Sequence, residues 1–78
     1  GVVQTEQEAR LAAVLAEVEG AGKVSVLIAQ EAGSPVSAVV LFDGTDGILV
    51  RLRLTQITAQ ALNIAENKVL VCPAEVRK

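Results

Sequence analysis

Apolar residues fall along this chain in two alternating rhythms. Leu11, Val14, Leu15 and Val18 recur at i, i+3, i+4 and i+7, one stripe of an amphipathic helix. Ahead of them, Thr5-x-x-Glu8 carries the signature of a capping box, in which the Thr5 hydroxyl and the Glu8 carboxylate each accept from a free N–H at the helix start. Ala9, Ala12, Ala13 and Ala16 add helix propensity, and Gly20 and Gly22 are expected to end the helix. From Lys23 to Gln30 the period drops to two. Val24, Val26 and Ile28 face one way and Ser25, Leu27 and Ala29 the other, both sides largely apolar as in a central strand. Glu31-Ala-Gly-Ser-Pro35 has turn chemistry, so a strand from Val36 to Phe42 is expected to return antiparallel.

After the break Asp43-Gly-Thr-Asp-Gly47 the two rhythms compete. Ile48, Val50, Leu52 and Leu54 alternate with Leu49, Arg51 and Arg53, as in a strand. Val50, Leu54, Ile57, Ala61 and Ile64 fit a helical stripe over a longer window. Length decides for a helix from about Gly47 to Leu62, with Thr45 or Asp46 as its cap. Asn63 to Asn67 reads as a short loop and Lys68 to Cys72 as the last strand, which Pro73 stops or confines to a sheet edge. The expected fold is α+β: two helices on a three-stranded mixed sheet, in the order helix, strand, strand, helix, strand. The last strand should run parallel to the second through a right-handed crossover, which puts both helices on one face and leaves the other face exposed or open to a partner.

At 78 residues this is one domain, expected over 5–75, with residues 1–4 as a leader and 76–78 as a basic tail. The chain is 51% hydrophobic, yet Phe42 is its one aromatic, so Val, Leu, Ile and Ala must build the core. Beginning with Gly1 and lacking Met, it reads as an excised or processed piece whose native flanks, including any membrane anchor, lie elsewhere. With a net charge of −2 and basic residues clustered only at Arg51, Arg53 and Arg77-Lys78, it lacks the electrostatic footprint of a nucleic-acid binder.

Candidate chemistry is sparse. Without histidine the commonest general base is missing, and Ser25, Ser34, Ser37, the threonines and Cys72 have no evident base at a readable spacing. No catalytic residue, small-molecule substrate, cofactor or metal is expected. Cys72 reads as a packing thiol. Asp43 and Asp46 have the chemistry to hold a hard cation, but read more simply as a turn residue and a helix cap. Gly44-Thr45-Asp46-Gly47 matches the four-residue GxxG loop of KH-type nucleic-acid modules, which lets backbone approach phosphate. Asp43 and Asp46 would repel phosphate, and the loop joins a strand to a helix where KH domains join two helices. Arg51 and Arg53 are either a solvated helix face or an interface to the acidic first helix of a neighbour, through Glu6, Glu8, Glu17 or Glu19. A head-to-tail contact of that kind generates rings or filaments.

Leu11-x-x-Val-Leu-Ala-Glu-Val-Glu-Gly-Ala-Gly-Lys-Val-Ser-Val resembles the helix-to-strand opening of the stage III sporulation protein AG family. Ser37-Ala-Val-Val-Leu-Phe-Asp-Gly-Thr-Asp, Val50-Arg-Leu and Ala61-Leu-Asn-Ile-Ala-Glu-Asn-Lys-Val-Leu-Val resemble its closing half. The resemblance implies a ring-building domain, related to those of type III secretion systems and flagellar basal bodies. It also implies an N-terminal membrane anchor, self-association, contacts with other sporulation channel proteins, and a place between mother-cell and forespore membranes. The family carries a long insertion between its first two strands, where this chain has only Glu31 to Pro35.

Overall fold

The capping box closes and starts the first element. In the computed structural model, which describes residues 4–74, helix α1 spans Glu6–Leu15 with Thr5 as its N-cap. The Glu8 N–H donates to Thr5 Oγ1 over 3.2 Å and the Thr5 N–H to Glu8 Oε1 over 2.8 Å. The helix stops well before Gly20. Beyond the Ala16 C-cap, Glu17 and Val18 donate to Val14 and Leu15, three residues back, and the chain turns through Gly20 at φ +90°. Glu17 and Glu19 therefore lie in the connection and not on the helix. The buried stripe also differs from the expected one. Glu8, Leu11, Ala12 and Leu15 are buried, Val18 packs against the core from the connection, and Val14 is 55% exposed.

Strands β1 (Val24–Glu31) and β2 (Ser34–Phe42) form an antiparallel hairpin, and β3 (Val69–Pro73) pairs parallel to β2 at the other side, giving the order β1-β2-β3. The hairpin turn is the two residues Ala32 and Gly33, at φ 52° and 83°, tighter than the stretch expected from its turn chemistry. Two positive φ values give the backbone twist that matches a hairpin. Pro35 lies inside β2, and the register slips by one residue there so that Val36 has no partner on β1.

Helix α2 spans Ile48–Leu62. Its N-cap is Gly47, with no side-chain cap; the expected caps Thr45 and Asp46 lie ahead of that position, and the Asp46 carboxylate is held by Arg51. Asn63 in the left-handed region ends it, and a 3-10 turn at Glu66–Lys68 replaces the expected loop before β3. The face α2 buries is Leu54, Thr58, Ala59 and Leu62, with Val50 and Ile57 against it; Ala61 is exposed. A polar Thr58 in the middle of that row is what hid it from the apolar pattern.

Both helices cover one sheet face. Val26, Ala38, Val40, Phe42 and Val71 meet Leu11, Leu15, Leu54 and Leu62 in a single aliphatic core around Phe42. Gln4, placed in the leader by the sequence pattern, is tied to the sheet: its Oε1 accepts from the Val26 N–H at 2.6 Å. The rest of that leader, Gly1 to Val3, and the basic tail at 76–78 lie outside the described residues.

One polar atom in this core has no partner. The Thr58 Oγ1 is fully buried and makes no hydrogen bond. Exchanging it for a methyl group removes an unmet desolvation cost at nearly constant volume. Thr58→Val is expected to stabilise the domain by about 1 kcal/mol, read as a rise of roughly 4–8 °C in Tm for a domain of this size.

Candidate functional site: the charged groups and the uncovered apolar surfaces

Three of the six charged residues singled out from the sequence, Glu6, Glu8 and Arg51, are engaged within their own chain. Glu6 pairs with Arg10 one helical turn on, at 2.6 Å and with both side chains largely in water, where such pairs contribute little. Glu8 points inward. Besides closing the capping box, its Oε2 accepts from the Ile28 N–H at 2.7 Å, so one carboxylate binds a helix start to a strand edge. The Ile28 and Thr5 backbone donors hold its pKa below the ordinary glutamate value, against a smaller opposing effect of burial.

Arg51 donates from Nε and Nη2 to the two Asp46 oxygens at 2.7 and 3.1 Å, and Nη1 reaches Val71 O at 3.4 Å. That fork lowers the Asp46 pKa and raises that of Arg51. Arg53 lines a groove of about 600 Å³ whose other walls include Glu17, Glu19, Val18 and Leu49. The opposite charges expected on separate faces of neighbouring molecules are thus brought together on one molecule.

The Gly44 to Gly47 loop has a structural reason for its first glycine. The Gly20-Ala-Gly22 turn crosses it so closely that the Gly44 N–H donates to Ala21 O at 2.9 Å and the Thr45 N–H to Gly20 O at 2.7 Å. A Cβ on Gly44 would fall on the Gly20 carbonyl oxygen, and one on Gly22 on the Asp43 carboxylate. Asp43 completes the crossing by accepting from the Lys23 N–H at 2.6 Å. The loop's first two donors are consumed inside the fold, which leaves little for a phosphate. Asp43 and Asp46 are likewise committed, and no group of three or more potential metal ligands occurs among the described residues.

The apolar surfaces are the more distinctive feature. On the uncovered sheet face Leu27, Val39, Leu41, Leu70 and Cys72 lie side by side through the strand register, with Ser25, Ala29 and Ser37 at the margin. Leu27 and Leu70 are each 58% exposed, and no charged residue stands among them. On the opposite layer, the first turns of α2 expose Ile48 at 86% and Leu49 at 63%, with Leu52 beside them. Patches of this kind mark contact surfaces more often than chance. The two-sided apolar alternation of β1 signalled the sheet face in advance. Nothing signalled Ile48 and Leu49, whose pattern was equally that of a strand.

A scan against protein-family models, a search of curated proteins and a search of solved structures each found no match.

Two outcomes follow from this geometry. Gly44→Ala is expected to cost at least about 2 kcal/mol, measured by denaturant unfolding, because backbone atoms must move to admit the methyl group. Glu8 and Asp46 have folded-state pKa values below their ordinary ones, so their stabilisation is complete above the ordinary carboxylate range and is lost as pH falls through it toward the folded-state values. Glu8→Gln should therefore lower stability at neutral pH and flatten the acid limb of a pH–stability curve. An acid limb unchanged in Glu8→Gln would show that the carboxylate contributes nothing there.

Proposed function

We propose that this chain is a non-catalytic assembly domain of the ring-building type, serving a sporulation channel in the space between mother-cell and forespore membranes. The observation that carries the reading is the pair of apolar patches on opposite layers: the open sheet face at Leu27 and Leu70, and the start of α2 at Ile48 and Leu49. A domain with two different sticky faces associates head to tail, and a head-to-tail contact closes into a ring or runs on as a filament. The resemblance of the sequence to the sporulation AG family, which implies a ring-building domain, supports the same reading.

The contact in this reading is apolar at its centre. Arg53, Glu17 and Glu19 border the α2 patch and set the rim, while Arg51 and Glu8 serve the fold and Glu6 pairs with Arg10 in water. A membrane anchor on the longer protein would raise the local concentration and let a modest interface assemble. Partners are further copies and other channel proteins.

Light scattering coupled to size exclusion, across a concentration series, tests this. The parent domain, free or tethered on vesicles, is expected to self-associate. Leu70→Glu and Leu49→Glu should each be monomeric, and a mixture of the two should form a one-to-one dimer, since each retains the face the other lacks. A parent that stays monomeric even when tethered, or two variants that do not complement, would sink the head-to-tail reading.

A further inference from the structure

The outer edge of β1 is closed by side chains. Val26 and Ile28 turn their N–H groups away from β2 and donate to Gln4 Oε1 at 2.6 Å and Glu8 Oε2 at 2.7 Å. Beyond them the Gln30 side-chain Nε2 donates to Gln7 Oε1 at 3.2 Å. These acceptors come from the first turn of α1 and the residue ahead of its cap, so the edge opens if that one turn withdraws. The other edge is blunted differently: Pro73 has no N–H, and Val71 O already accepts from Arg51.

We propose that the β1 edge is a second interaction surface, held closed by Gln4 and Glu8, whose occupant is β1 of another copy running antiparallel about a two-fold axis at Leu27. The edge is self-complementary in that register. Val26 of one copy faces Ile28 of the other, and each pair can exchange two N–H···O=C bonds. At the ends, Lys23 of each copy stands opposite Glu31 of the other, and no charged residue lies between them in the sequence. Moving the axis to Val26 or Ile28 loses both charge pairs. β1 can keep this register to Glu31 because the irregularity of the hairpin falls on β2, at Val36. An axis perpendicular to the sheet keeps both open faces on the same side, with Leu27 meeting Leu27 between them. The pairing is isologous and its hydrogen bonds run along the edge, which distinguishes it from the head-to-tail contact between faces, although Leu27 borders both.

Cysteine crosslinking decides it. Leu27 and its symmetry mate would form a non-hydrogen-bonded pair with Cα atoms about 4.5 Å apart, within reach of a disulfide. In a Cys72→Ser background, Leu27→Cys combined with Gln4→Ala and Glu8→Gln should form a covalent dimer under mild oxidation, roughly tenfold or more faster than with Gln4 and Glu8 intact. Gln4→Ala alone leaves the capping box in place and should give an intermediate rate, which keeps the test valid if the combined variant unfolds. Val39→Cys, on the central strand of the same face, should stay monomeric, and Leu70→Glu should leave the Leu27→Cys crosslink unchanged. Equal crosslinking with and without the guards, none in either, or equal crosslinking through Val39→Cys would overturn the proposal.

Discussion

Three strands with both helices on one side can bury only one face of every strand. That constraint governs the rest of this molecule. The core-facing set is Val26, Ala38, Val40, Phe42 and Val71, and it is well covered. The alternate set runs through Leu27, Val39, Leu41 and Leu70, and nothing in the described residues lies over it. Had that set been polar, a one-sided sheet would be an ordinary solvated surface. Its apolar character is a cost to the isolated domain and gains a use once a second surface meets it.

The edges of a small sheet pose a related problem, which is solved here with single side chains. Glu8 satisfies a helix start and a strand edge together, Gln4 covers one further donor, and Arg51 reaches from α2 to the last strand. In a domain this small there is no spare layer to cover an edge, so polar side chains must do it. Faces remain the broad surfaces free for association, while the β1 edge is kept in reserve.

Much of this fold was legible in the sequence because its signals were local. The capping box, the period-two run of β1 and the apolar β2 each act within a few residues, and the strand order and direction followed from connection rules. Most of what escaped reading depended on contacts distant in sequence. The path from α1 into β1 is held by the Gly20-to-Gly22 turn crossing Gly44, and the edge of β1 by Gln4 and Glu8; the buried row of α2 was hidden for a local reason, the polar Thr58 within it. The charged residues were readable as charged but not as paired. Glu8 was readable as the carboxylate of the capping box, but nothing in the sequence pointed to its second oxygen, which accepts from the Ile28 N–H. Gln4 carried no signal at all.

The turn at Ala32 and Gly33 stands at the tip of the β1–β2 ribbon, exposed, with open space where a side chain on Gly33 would lie. No core residue depends on it. Chain length at that tip is therefore uncoupled from the packing behind it, and extra residues there add a closure entropy that grows only with the logarithm of their number. The same two-layer body is compatible with a two-residue connection or with a long one carrying structure of its own. Size at one end of the molecule can vary while the surfaces at its middle, and whatever they fit, stay as they are.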